Sequence, residues 1–273
     1  EARVGELEAT QFSTTTKLKG QATWVVGANH FNGSASQRRS ESNKLYGGTT
    51  FNYDLQLGLA TSFTGKDLLT TVLRGGNFDG DGNVFGSGGP SGLAKLETAF
   101  QEGDRPNLVA IDKLFYSFPL GDDITITTGP IVGQEDMLAV WPSVYPSDPI
   151  LDVLTVNGAP GAYNKNKGAG VGVSWAPESG VRASANYVAA NGASSDTLAG
   201  GFATDQAGGT GTLQLGWEGD NWGVAALYSK VQNGQDLIVY ATPFVKDQLT
   251  DRGVTHAYAL GGFWQPLQSG WIP

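Results

Sequence analysis

Residues 51 to 63, FNYDLQLGLATSF, alternate with period two. Phe51, Tyr53, Leu55, Leu57, Leu59 and Phe63 fall on one side of an extended chain, and Asn52, Asp54, Gln56, Gly58, Ala60 and Ser62 on the other. Such alternation predicts a β-strand with one apolar face. The same pattern, bounded by turn chemistry, predicts about ten strands: 16–27, 50–63, 67–76, 108–119, 123–132, 168–176, 181–190, 210–218, 222–231 and 256–265. Period alone leaves open whether the apolar faces meet a protein core or lipid.

The connections carry more information than the strands. FTGKD, PLGDD, APESG and EGDN are tight, with glycine supplying the backbone angles a hairpin needs, and QPLQSG follows the tenth strand in the same style. The remaining connections, near 28–49, 77–107, 134–167, 191–209 and 232–255, are long and alternate strictly with the tight ones. Loops this long are uncommon in compact domains and usually serve a function. In an up-and-down barrel all odd connections lie at one rim and all even ones at the other, and outer-membrane barrels have short turns on one side and long loops on the other. A sandwich with crossover connections has no reason to sort its loops.

Aromatic residues gather at strand ends on the apolar parity. Phe51 and Phe63 bracket the second strand, Trp175, Tyr187 and Trp217 end the sixth to eighth, and Trp222, Tyr228, Tyr258 and Trp264 bracket the ninth and tenth. Between them stand modest residues such as Val171, Val173, Ala183, Ala185, Val224 and Ala226. Two aromatic girdles around a plainer apolar belt suit a membrane–water boundary on each side; the alternative is that the rings plug the ends of a sandwich core. The opposite faces offer Lys17, Lys19, Gln21 and Thr23 on the first strand, Asn52, Asp54 and Gln56 on the second, and Arg182, Ser184 and Asn186 on the seventh. Arg74 and Lys113 share the inward parity of the third and fourth strands, although Ile111 and Phe115 share the parity of Lys113. On a closed cylinder these residues would line a wet lumen.

Composition agrees with β structure: 40 glycines and 12 prolines against one methionine in 273 residues. Mean hydropathy is −0.19, and no window approaches the roughly 18 apolar residues of a membrane helix. A barrel escapes that test because half of each strand faces water. A net charge of −9 disfavours nucleic acid as a partner. There is no cysteine, and the two histidines, His30 and His256, cannot make a multi-histidine metal centre. The chain begins at Glu1 without a signal-type segment, which suggests a mature or trimmed product.

Several stretches supply candidate chemistry. GQEDMLAVWPSVYPSDPILDVLTVNGAPGAYNKNKG, after the fifth strand, holds Leu138, Val140, Trp141, Ile150 and Leu154, which want burial. Folding this segment into the lumen would bury them and narrow the pore. Glu135, Asp136, Asp148 and Asp152 would then face Lys17, Lys19, Arg74 and Arg182 across a constriction, and rings of charge set ion selectivity. The alternative is an external loop packed on itself or on a neighbouring subunit. FDGDGN places Asp79, Asp81 and Asn83 at alternate positions, a weak metal-ligand pattern. It departs from a calcium loop at Val84 and Pro90, so a glycine-rich turn is the plainer reading. GSGGPSG lacks the lysine of a phosphate loop, and SGLAKLETAF is expected to form a short helix. No serine–histidine–acid arrangement has spacing support, so no enzymatic activity and no cofactor are expected.

ATQFSTTTKLKGQATWVVGA, TSFTGKDLLTTVLRGGNF, LDVLTVNGAPGAY and ALGGFWQPLQSGWIP resemble cyanobacterial outer-membrane porins related to carbohydrate-selective porins, some of them described as iron-uptake porins. The resemblance runs from about Leu7 to the end and is most specific in the first three strands and around the fifth connection. It implies a homotrimeric transmembrane antiparallel β-barrel in the outer membrane, passing small hydrophilic solutes, sugars or inorganic ions passively. It also implies a surface-layer-homology region and helical linker before the barrel, bound to peptidoglycan or another cell-wall polymer. On that reading residues 1–12, including EARVGELEA, end the linker, and residues 13–273 form a porin barrel that is incomplete, because family barrels continue for more strands than this chain holds. Two other functions fit the pattern: a tether between outer membrane and cell wall, and a soluble carbohydrate-binding β protein.

Overall fold

The computed structural model describes residues 15–79, 82–86, 92–148, 150–234 and 253–265. Ten antiparallel strands pair in sequence order as one up-and-down sheet. They are β1 (Thr15–Gly27), β2 (Thr50–Ser62), β3 (Leu68–Gly76), β4 (Val109–Leu120), β5 (Ile124–Gly133), β6 (Lys167–Trp175), β7 (Val181–Ala189), β8 (Gly209–Glu218), β9 (Trp222–Gln232) and β10 (Val254–Trp264). Among the described residues β1 and β10 form the two edges of the sheet and do not pair with each other. No helix among them is long and apolar enough to cross a membrane, which says nothing about crossing by strands. The linker proposed for residues 1–12 and the turn QPLQSG beyond Gln265 lie outside the described residues, as does most of the fifth long connection.

Register fixes the two faces. Leu18, Ala22, Trp24 and Val26 of β1 pair with Leu59, Leu55, Tyr53 and Phe51 of β2, so this apolar set shares one face. Lys17, Lys19, Gln21 and Thr23 pair with Ala60, Gly58, Gln56 and Asp54 on the other. The apolar face is bare. Trp24 is 73% exposed and Leu260 80%, and Phe51, Leu215, Tyr258 and Trp264 are exposed with them. Water would charge roughly 1.5–3 kcal/mol for each large apolar side chain left outside, so this face calls for an apolar surround. On the other face inward-folded chain covers β6–β9, while Lys17, Lys19 and Gln21 of β1 stay exposed.

At the short-turn rim, Asp67 builds the β2–β3 hairpin. Its Oδ1 accepts hydrogen bonds from Ser62 Oγ, the backbone N–H groups of Phe63 and Thr64, and Thr64 Oγ1, and its Oδ2 accepts from the Tyr116 hydroxyl. Burial alone raises the Asp67 carboxyl; the bonds from Tyr116, Thr64 and Ser62 outweigh it and hold the group well below the usual carboxylate range. Beside this turn Phe63 meets Tyr116 edge-on and Tyr116 stacks on Phe118.

Strand β4 resolves the parity conflict of Lys113. Val72 pairs with Lys113 but Leu73 pairs with Ile111, a β-bulge that inserts one residue. Ile111 is therefore exposed on the apolar face, while Asp112, Lys113 and Phe115 turn inward. Two further differences concern loops. The first long connection contains a helix, α1 (Ser36–Tyr46), with no buried residue. SGLAKLETAF is not helical beyond a single 3₁₀ turn at Gly92–Ala94, because Leu96 forms an antiparallel bridge with Leu151.

Candidate pore-lining site

The segment between β5 and β6 folds onto the inner face of β6–β9. Gln134, 1% exposed, pins its start. Its Nε2 lies 2.8 Å from Ala162 O, 2.7 Å from Thr212 Oγ1 and 3.1 Å from Ser229 Oγ, and its Oε1 accepts the Lys165 N–H. Gln214 holds the next stretch in the manner of a neighbouring strand, accepting the Val140 N–H at 3.1 Å and donating to Val140 O at 2.8 Å. Leu138 and Trp141 pack against Ala162, Tyr163 and Leu227, with Trp141 edge-on to Tyr163. Met137 joins Phe115, Val132 and Val188 in a second cluster. Burial of these apolar side chains is what keeps the segment on the wall. Ile150 and Leu154, expected to be buried too, are 78% and 49% exposed, because this part crosses toward the β3–β4 loop instead of lying on the sheet.

The two long loops are joined there. Glu97 N–H donates to Ile150 O and Asp152 N–H to Lys95 O, around the Leu96–Leu151 bridge. Lys95 pairs with Asp152 at 3.1 Å, and Lys165 donates to both Glu97 and the Ser147 carbonyl. Burial, reinforced by a hydrogen bond with Asp152 and opposed by Lys165, pushes the Glu97 carboxyl up to about 7.

Beneath the joined loops lies a cavity of about 760 Å³. Arg74, Lys95, Lys113, Lys165 and Lys167 face Glu97, Asp112, Glu135, Asp148 and Asp152 in its lining, with Gln21 and Gln56 beside them. Arg74 donates from Nε to Asp54 at 2.7 Å and stacks 4.8 Å from the Phe100 ring centroid. Lys113 bridges Glu135 at 3.0 Å and Asp136 at 2.7 Å, and Lys167 pairs with Asp112.

The residues picked from sequence separate into three groups. Lys17, Lys19 and Gln21 are exposed on the inner face of β1, and Gln56, Arg74 and Lys113 line or border the cavity. Asn52, Asp54 and Asn186 have inner parity but are buried, not open to a lumen. Asn52 donates to Asn77 O, Asp54 is held by Arg74 and Thr98, and Asn186 donates to Gln134 O, so loop chain covers all three. Arg182 shares the inner parity but turns to the short-turn rim, bonding Glu218 and the carbonyls of Pro177 and Val181. Of the acids of the β5–β6 segment, Glu135 and Asp136 pair with Lys113, and Asp152 with Lys95. Asp148 is exposed in the cavity lining.

At FDGDGN, Asn83 donates to Asn52 Oδ1 and accepts the Phe85 N–H, which commits its amide to the loop. Asp79 is exposed, Asp81 lies outside the described residues, and among those described no cluster of three potential ligands could hold a metal. Sequence reasoning missed Gln134, Gln214, Lys95, Glu97, Lys165 and Lys167. Only the glutamines left a trace, Gln214 as a long polar residue on inner parity within LQLGW.

Sorted loops, an apolar aromatic outside and an inside lined by charge and folded-in chain are the features of a porin-like barrel wall, here ten strands of it. Comparison with known proteins adds relatives without an assigned activity. No family model matches the chain. An uncharacterized protein of Nostoc sp. is 45% identical over 125 residues, covering 44% of this chain and 20% of the relative. An uncharacterized protein of Synechocystis sp. is 30% identical over 238 residues, covering 84% of this chain and 39% of the relative. The chain thus spans well under two thirds of either relative's length. Among solved structures, a mutant of the Rhodopseudomonas blastica porin superposes with a TM-score of 0.40 at 13% identity, covering 80% of this chain and 66% of that one. Another mutant of the same porin gives 0.38 at 13% identity over the same shares.

Proposed function

We propose that the chain forms the wall of a water-filled outer-membrane pore through which small hydrophilic solutes or inorganic ions diffuse passively. The observation that carries this reading is the opposition of the faces: bare Trp24, Phe51, Leu260 and Trp264 outside, and a charged cavity under two joined loops inside. The apolar exterior suits lipid, where it costs nothing to expose, and the hydrated interior suits ions. The open path runs along β1, where Lys17, Lys19 and Gln21 stand exposed, and past Gln56 in the cavity lining, because the β5–β6 segment covers the inner face of β6–β9.

Planar-bilayer recording tests the proposal. Purified protein is expected to add conductance in discrete steps, with cation–anion selectivity that depends on the lining. A membrane that stays tight at high protein concentration overturns it.

A further inference from the structure

A charged side chain interrupts the apolar exterior of the described strands. Among the described outward-facing strand positions, Lys230 is the charged side chain; Lys167 shares the outer parity at the start of β6 but reaches Asp112. Lys230 is exposed and enters no salt bridge among the described residues. It lies roughly 26 Å along β9 from Trp222 at about 3.3 Å per residue, near the long-loop end of the strand. With strands tilted by the usual ~35–45° this is roughly 20 Å across the membrane, in the outer part of an apolar band about 25 Å tall, from which a lysine stem reaches the edge.

Cross-strand register shows what surrounds it. Val171, Tyr187, Gly211, Lys230 and His256 are successive partners across β6–β10. The neighbouring row, toward the short-turn rim, runs Val173, Ala185, Leu213, Tyr228 and Tyr258. Gly211 and Ala185 leave a gap between Tyr187 and Tyr228, an outer groove of about 570 Å³ with Lys230 at one end. Packing does not demand the glycine: a Cβ there would meet only Tyr187 Cδ2, at 3.9 Å. Tyr228 stacks on His256 and bonds its Nδ1 at 2.8 Å, which fixes the wall beside the lysine.

We propose that this groove holds one anionic membrane lipid, its acyl chain over Gly211 and Ala185 and an anionic headgroup oxygen on Lys230 Nζ. A lysine stem lies along apolar surface while its head stays at the interface, where a lipid headgroup supplies negative charge. The inference goes beyond the conduction reading and rests on its membrane part. Native mass spectrometry of the chain in detergent, titrated with phosphatidylglycerol or with phosphatidylcholine of the same acyl chains, tests it. Wild type is expected to retain one phosphatidylglycerol in preference to phosphatidylcholine. Lys230→Gln is expected to lose that preference about fivefold, the effect of removing one interfacial lysine, and Lys230→Arg to keep it. Gly211→Leu, which fills the groove from outside, is expected to lose retention of both lipids. Equal retention of the two lipids by wild type, or unchanged retention in Lys230→Gln or Gly211→Leu, overturns the site. Stepwise conductance together with such a result overturns the lipid site alone, whereas a chain that stays monodisperse without detergent overturns both readings.

Discussion

Gln214→Leu removes the clamp on the β5–β6 segment without changing charge. The side chain is buried, and its two bonds to Val140 satisfy one backbone donor and one acceptor. Leucine is of similar bulk, so the main loss is polar. Each buried group left unpaired costs about 1–3 kcal/mol, or roughly 2–6 kcal/mol for the pair if the segment stays in place. Leaving the wall instead exposes Val140, at about 2 kcal/mol. The second route is no more costly, so the variant is expected to lift Val140 from β8 while Gln134 still holds the start of the segment. Hydrogen exchange reads this directly: relief of 2 kcal/mol or more speeds exchange at the Val140 amide by roughly 30-fold. Bilayer recording gives the second readout, since a segment displaced into the lumen lowers mean conductance and raises open-channel noise. A folded variant with wild-type exchange at Val140 refutes the clamp.

Three other outcomes follow from the lining. Arg74→Met leaves Asp54, 1% exposed, with only Gln56 and Thr98 as partners, and is expected to destabilise by about 3–5 kcal/mol in denaturant unfolding; an unchanged midpoint contradicts it. Lys17→Glu with Lys19→Glu is expected to shift the reversal potential toward cation preference, and an unmoved potential removes both residues from the path. Glu97, pushed up to about 7 from the ordinary 4.5, favours the joined loops when protonated. The sign is that a raised acid loses its contribution as pH rises through its folded value. Protection of the Glu97 and Asp152 amides, corrected for intrinsic exchange, is thus expected to fall from about pH 4.5 through about 7, and Glu97→Gln to flatten the profile. A flat wild-type profile excludes the coupling.

The strands were legible because alternation and turn chemistry are local: β2, expected at 50–63, is Thr50–Ser62, and β9, expected at 222–231, is Trp222–Gln232. What failed was information that alternation does not carry. The bulge at Asp112–Lys113 adds one residue to β4 with no glycine or proline to announce it, so the inward parity of Lys113 could be seen but not reconciled with Ile111. Helix α1, SQRRSESNKLY, is polar on all sides and offers no periodicity to detect. Period two also says which face a residue takes and nothing of what lies over it, which is why Asn52, Asp54 and Asn186 were expected in water and lie under loops.

The size of the inner side chains explains where the loops settle. On β6–β8 most inner positions, among them Gly168, Gly170, Gly172, Ser184, Asn186, Thr210 and Thr212, are short and uncharged; Gln214 is the clamp itself, and Arg182 and Glu218 pair at the short-turn rim. At Gly172 an added Cβ would sit 2.9 Å from Met137 Cβ, closer than side chains pack, so the segment's approach needs a bare backbone there. On β1 the corresponding positions carry Lys17, Lys19 and Gln21, which are long, polar and exposed. Laying apolar chain on that side would strip water from the lysines at a cost burial could not offset. The uncovered side of the wall is therefore set by inner-face composition as much as by the loop. Gly172→Leu is expected to push the Met137 turn off β6 and expose Met137 and Phe115 to chemical probes, and a variant whose Met137 stays protected from oxidation refutes this account.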